Sequence, residues 1–184
     1  MGFWGGAIEK GGGDRYAEAV CKVKRLLVSD RIFFVTVNLR RDMAFLDRAE
    51  FPLVIDALEE SRRREKFLLC GYVLMPDHWH ALIWVGYPLT ISRAVQSVKG
   101  QAARRINARR GTTGTVWQHQ FWDRLVRHGK EFSDRLMYMH LNPVRRGLVK
   151  GPEDWPWSSY NNFALEKQPV AACPIQIDYV RMPG

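Results

Sequence analysis

The order of periodic segments in this sequence predicts an α+β domain. It is a ferredoxin-like β-α-β-β-α-β antiparallel sheet with an additional C-terminal helix. Three observations predict it. Ile32 to Leu39 alternates with the period of two that marks a half-buried strand. Two largely apolar runs, Phe67 to Met75 and His78 to Val85, flank Pro76-Asp77, a turn signal, and so predict an antiparallel hairpin. Two segments with helical apolar stripes separate the strands as that order requires.

Each element has its own warrant. In the first strand Phe33, Val35, Val37 and Leu39 share one face, with Thr36 and Asn38 on the other. A helix over about Arg48 to Arg64 follows, with Phe51, Val54, Ile55 and Leu58 at i, i+3, i+4 and i+7. Its basic end (Arg62, Arg63, Arg64, Lys66) suits a helix C-terminus electrostatically. The second helix runs from Thr90, an N-cap, to Arg110, with Gly111 as C-cap. Ile91, Ala94, Val95, Val98, Ala102 and Ile106 form its stripe. Thr115 to Val126 reads as the fourth strand. A third helix starts near Lys130 and must stop by Asn142, because Pro143 disfavours the helical region for its predecessor. Residues 1–22 are a Gly-rich lead-in, expected to be flexible, and 165–184 an irregular, Pro-containing tail, so the domain is expected over 23–164.

Composition narrows the function classes. The chain has 184 residues, 46% of them hydrophobic, enough for one domain with a proper core. No apolar stretch reaches the roughly 18 residues of a membrane span. Three scattered cysteines (Cys21, Cys70, Cys173) argue against a disulfide scaffold, and no CxxC pair offers a zinc ribbon. Met1 to Arg15 has no basic segment followed by an apolar one, so a cytoplasmic, reduced protein is expected. The 28 Lys+Arg exceed the 19 Asp+Glu by 9, which asks for a polyanionic partner.

His78-Trp79-His80 is the chemical centre of the sequence. On a strand the two histidines point to one face, with Cα atoms about 6.6 Å apart at roughly 3.3 Å rise per residue. Two imidazoles at that spacing can converge on one divalent ion. Tyr138 and Asn142, four apart, share a face of the third helix, and the Asn142 carbonyl oxygen is an acceptable third ligand. Taken singly, each has an ordinary explanation. A bare HxH occurs by chance, Tyr138 sits among Leu136, Met139 and Leu141 as a packing residue would, and Asn142 precedes a proline. The combination is far more specific than its parts.

At these residues the sequence resembles the REP-associated tyrosine transposases, members of the HUH single-strand DNA endonucleases. Four stretches carry the match, in family order: Val73 to His80 (VLMPDHWH), Trp117 to Arg124 (WQHQFWDR), Tyr138 to Val149 (YMHLNPVRRGLV) and Trp155 to Tyr160 (WPWSSY). Residues 1–22 and the tail after Tyr160 match nothing in that pattern. The resemblance implies a metal-dependent enzyme that nicks single-stranded DNA near palindromic hairpins and rejoins it. By motif position it gives Tyr138 the nucleophile role. His78 and His80 take the metal role, with Mg²⁺ or Mn²⁺ as the ion and Asn142 as third ligand. It favours a monomer, although dimeric relatives exchange the tyrosine helix. The alternatives are a hairpin DNA- or RNA-binding relative that no longer cuts, and a metal-dependent nuclease that uses water.

A DNA partner needs phosphate contacts, which Lys and Arg supply. The candidates are Lys99, Arg104, Arg105, Arg109 and Arg110 on the second helix, Arg124 and Arg127 after the aromatics of the fourth strand, and Arg145, Arg146 and Lys150 beyond the third helix. Trp117, Trp122, Trp155 and Trp157 are candidates for stacking on unpaired bases, with core packing as the competing explanation for each. His140, two residues from Tyr138, faces elsewhere and is read as structural or DNA-facing.

Overall fold

The computed structural model describes residues 31–164 and 174–180. The expectations for residues 1–22, Cys21, Cys173 and residues 165–173 and 181–184 lie outside the described residues. The elements are β1 (Arg31–Asn38), α1 (Phe51–Glu65), β2 (Leu68–Leu74), β3 (His78–Val85), α2 (Ile91–Arg110), β4 (Trp122–Val126), α3 (Gly129–His140), a short α4 (Asn142–Arg145), a 3₁₀ turn (Pro152–Asp154) and α5 (Tyr160–Ala164). The four strands form one antiparallel sheet in the order β2-β3-β1-β4. That is the ferredoxin-like arrangement with a further helix after β4, as the element order predicts. No helix of the described residues is long and apolar enough to cross a membrane.

Strand periodicity divides the molecule into two layers. The register pairs Thr36 with His80 and Asn38 with His78, so these side chains stand on one face of the sheet. Val35, Val37, Trp79, Ala81 and Ile83 stand on the other and are buried. Helices α1 and α2 pack together and cover that second face. Their buried stripes are the ones the periodicity predicts: Phe51, Val54, Ile55 and Leu58 on α1, and Ala94, Val95, Val98, Ala102 and Ile106 on α2. Each fully buried Val, Leu or Ile contributes about 1.5–3 kcal/mol relative to exposure. Thr90 caps α2, its hydroxyl accepting from the Arg93 amide at 3.2 Å, and Gly111 ends it at φ 63°.

The fourth strand differs from expectation. A single strand over 115–126 is not formed: Trp117 makes an isolated bridge with Leu39, and regular pairing begins only at Trp122. The reason is a contact from α2. The Lys99 ammonium donates to the carbonyls of Gln118 and His119 at 2.7 and 2.8 Å, which takes those acceptors out of any ladder. Helix α3 stops at His140, and Pro143, which lacks an amide hydrogen, falls in the first turn of α4.

Edge strand β2 is covered at both ends. Leu74 and Tyr72 bond to Trp157 and Ser159, and Leu69 pairs with Asp178, whose carboxylate also holds Arg62 at 2.8 Å. Residues 174–180 carry no helix or strand, yet Ile175, Ile177 and Val180 are buried against the domain. A covered edge cannot template pairing with another chain. Cys70 on β2 is a buried free thiol.

Helix α3 lies on the histidine face of the sheet, against β2. Gly71 is what lets it approach: a Cβ there would come within 2.5 Å of Met139 Cε and 2.7 Å of Leu136 Cδ1, both fully buried. Gly71→Val is therefore expected to destabilise the fold by about 1–3 kcal/mol through overpacking. Urea denaturation checks this, and an unchanged midpoint would show that the helix is not seated through that position.

Candidate active site

The site forms where α3 and α4 meet the His78–His80 row. The two imidazole rings are 4.7 Å apart, centre to centre, and both are buried. Their Nδ1 atoms face away from each other's partners: His78 Nδ1 meets Asp77 Oδ1 at 2.6 Å, and His80 Nδ1 meets Thr36 Oγ1 at 2.8 Å. Asp77 is reached from the hairpin turn and Thr36 from β1, which the register sets directly opposite His80. With Nδ1–H donated outward, each ring presents the lone pair of Nε2 inward. Both lone pairs converge on one group, the Asn142 amide, whose Nδ2 is 3.0 Å from His80 Nε2 and 3.3 Å from His78 Nε2.

Electrostatics keep these rings neutral. Burial, helped by the adjacent His78 ring, pushes His80 from the ordinary 6.5 down to about 3. Burial also lowers His78, with Asp77 opposing it. Burial alone would raise the Asp77 carboxyl, but the His78 ring and the Arg146 guanidinium, 3.1 Å away, outweigh it and hold the carboxyl below its usual range. Neutral imidazoles with an oriented Nδ1–H are the form that binds metal ions.

Tyr138 stands beside this cluster. Its ring is 5.6 Å from that of His80 and 6.2 Å from that of Phe34, and it is 41% exposed. The Arg145 guanidinium lies over it, 5.4 Å from the ring centre. Phe34 is the floor: it stacks on His80 at 5.1 Å and carries the Arg135 guanidinium at 5.5 Å. The arrangement therefore joins an accessible phenol, two converging imidazole nitrogens and an amide.

The donor set, two imidazole nitrogens and an amide, fits a divalent ion. Two outward-anchored imidazoles and an amide that already touches both Nε2 atoms leave one shared point between them. Among the described residues no group of three His, Cys, Asp or Glu side chains gathers, so the set has no carboxylate. Three neutral protein donors leave a bound dication's charge to be met by an anionic ligand such as phosphate.

The family model described as "Transposase IS200 like" matches residues 32–128, more than half of the chain. The chain belongs to the IS200-like transposase family. Membership makes it a DNA-processing protein of transposase type. The transposase chain is 27% identical over 141 residues to the REP-associated tyrosine transposase of Escherichia coli (strain K12), covering 75% of this chain and 81% of that one. It is 29% identical over 115 residues to a putative REP-associated tyrosine transposase of Haemophilus influenzae, covering 57% and 65%. Its fold is that of a solved REP-associated tyrosine transposase bound to a REP hairpin, with a TM-score of 0.66 at 24% identity over 89% of this chain and 97% of that one.

Not every residue singled out in the sequence of this transposase reaches the site. His78, His80, Tyr138 and Asn142 do, and Arg145 and Arg146 border it. Arg124 is exposed on β4 and paired with Glu131 at 2.8 Å; Arg127 is exposed just beyond. Lys99, Arg104, Arg105 and Arg109 lie on α2, in the layer across the sheet. Arg105 pairs with Glu60 at 2.5 Å, Arg109 with Asp47 at 3.6 Å, and Arg110 with the buried Glu50 at 2.5 Å, so much of this cationic surface is neutralised between α1 and α2.

Of the four tryptophans offered for stacking, Trp117 is corrected outright: it is 3% exposed, in the core. Trp155 and Trp157 are half-buried. They pack on Phe51 at 5.8 and 5.3 Å, and Trp155 Nε1 donates to the Leu74 carbonyl at 2.9 Å, pinning this segment onto the domain. Only Trp122 of the four is exposed. His140 is buried and structural, its Nε2 2.8 Å from Ser159 Oγ. The sequence reading missed Thr36, Asp77, Phe34 and Arg135 as members of the site. The polar face of β1 is a signal for Thr36, and the turn beside His78 is one for Asp77; Phe34 and Arg135 carry none.

The buried neutral histidines imply a pH dependence. Burial holds His140, like His80, at about 3 against 6.5. Below about pH 6.5 the unfolded chain takes up protons that the folded one refuses, so stability falls as pH drops toward 3 and is unaffected by these groups above 6.5. The urea midpoint is expected to fall between about pH 7 and pH 5, and less so in His140→Gln. Equal midpoints at the two pH values would contradict burial of uncharged rings.

Proposed function

We propose that this transposase is a metal-dependent single-stranded DNA endonuclease and strand transferase. It nicks DNA near palindromic hairpins through a covalent 5′-phosphotyrosine. The observation that carries the reading is the meeting of an exposed phenol, Tyr138, with the converging nitrogens of His78 and His80 and the Asn142 amide. The names of the similar proteins, and the hairpin bound by the structurally similar one, support DNA hairpins as substrate.

His78, His80 and Asn142, with its amide oxygen turned inward, would hold Mg²⁺ or Mn²⁺. Such an ion supplies Lewis-acid stabilisation of charge on a phosphate oxygen. A neutral phenol is a weak nucleophile without assistance, and the Arg145 guanidinium over the ring stabilises charge developing on Tyr138 Oη. Phe34 and the α3 backbone fix the ring's orientation, so attack starts from a set geometry. The Oη–P bond forms and the P–O3′ bond breaks. The phenol proton passes to solvent, and the departing 3′ oxygen takes one up. Because the diester is exchanged and not hydrolysed, a strand bearing a 3′-hydroxyl can reverse the step without ATP. Arg124 on the site's face of β4, Arg127 just beyond that strand, and Arg145 and Arg146 beside the site supply phosphate contacts, and such binding weakens as salt rises.

Incubation with a labelled single-stranded hairpin oligonucleotide and Mn²⁺, followed by denaturing electrophoresis, tests the reading. The wild type is expected to give a protein–DNA band that chelator abolishes. Tyr138→Phe is expected to bind the same DNA and give none. A band retained by that variant would remove the nucleophile assignment. Nicked product without any band would favour water as the nucleophile, and binding with neither a non-cleaving protein.

The anchors of the histidines have their own test. Thr36→Val and Asp77→Ala each remove the side-chain oxygen that meets one Nδ1, and are expected to weaken Mn²⁺ binding by about 10–100-fold in calorimetric titration. Unchanged affinity would mean that these residues do not orient the ligands.

A further inference from the structure

We infer that Trp122 is a base-binding platform that stacks a base of single-stranded DNA close to the linkage cut at Tyr138. The inference rests on the nicking reading for where the strand lies. Trp122 pairs with Thr36, and Thr36 with His80, so the three side chains form one row across one face of the sheet. Two strand spacings put the Trp122 backbone about 10 Å from that of His80. β4 is the sheet edge, so the row opens outward there.

The other aromatics of this face are not open in the same way. Phe34 is buried, covered by His80 and Arg135. Tyr138 has its own role and carries Arg145 over its ring. Trp122 meets Phe34 with the rings 74° apart and 6.0 Å between centres, and remains 48% exposed. An apolar protein partner would have to bury Arg124, whose side chain is 52% exposed, next to this indole. A nucleic acid strand instead matches both groups, its base on the indole and its phosphates toward the guanidinium groups. Stacking asks only for a π-face, so this contact would position the strand without reading a particular base.

The test uses the full chain and fluorescence anisotropy with two probes. One is a fluorescein-labelled hairpin DNA with a single-stranded thymidine flank; the other is the same hairpin with an abasic flank. Trp122→Ala is expected to bind the thymidine-flanked probe about tenfold more weakly than wild type and the abasic one equally well, while Trp122→Phe stays within roughly threefold on both. Circular dichroism restricts the comparison to folded protein. An equal loss on both probes, or no loss on either, would overturn the inference, the former because the role would then be structural or electrostatic. If the wild type binds neither probe, the nicking reading falls with it. If the wild type binds and the selective loss is seen but no covalent band forms, stacking stands and only the nucleophile assignment fails.

Discussion

The two-residue period of β3 is the constraint on which the site depends. It sends Trp79, Ala81 and Ile83 into the layer under α1 and α2, and His78 and His80 to the opposite face. A hydrophobic core on one side thus fixes the register of a polar cluster on the other. A one-residue slip would exchange the two sets and bury both imidazoles in the core. The burial of their neighbours puts the histidines on this face, and the hydrogen bonds to Asp77 and Thr36 then set how the rings are turned.

What remains is to bring the phenol to that face, and α3 does so through close packing. Gly71 removes the side chain that would hold the helix away, Leu136 and Met139 fill the space, and His140 ties the end of the helix to Ser159. Tyr138 is left exposed because it points off this packed stripe, toward Phe34 and His80. Asn142 follows one turn later, at the start of α4, where its amide meets both histidine rings.

Periodicity made most of this legible in advance. The order of strands and helices, the caps at Thr90 and Gly111, and the pairing of His78 with His80 and of Tyr138 with Asn142 are short-range patterns, and each was readable one element at a time. What was not legible depends on partners far away in the chain. Nothing local says that Lys99 will take the carbonyls of Gln118 and His119 and so shorten β4, or that Arg105 will meet Glu60 on α1 and Arg109 the Asp47 that precedes it. Trp117 and Trp122 look alike in sequence, and only the pairing of β1 with residues 116–126 separates a core residue from an exposed one. Asp77 reads as a turn residue and is also the anchor of His78.

These long-range pairings decide how a basic protein presents its charge. Arg105, Arg109 and Arg110 are matched by Glu60 on α1 and by Asp47 and Glu50 just ahead of it, so the excess over neutrality is not a uniform coat. Around the histidines the protein contributes uncharged rings and an amide, with the single carboxylate, Asp77, shared between His78 and Arg146. A cation would find no full negative charge there to neutralise it, and a phosphate alone would find no fixed positive charge at the centre, only the arginines at the rim. Each would satisfy what the other lacks. On the proposed reading, ion and DNA therefore bind with positive coupling, and by linkage each strengthens the other's affinity by the same factor. On that reading, a carboxylate in place of Asn142 would hold the ion in the absence of DNA and weaken that coupling, a physical reason for an uncharged side chain at this position.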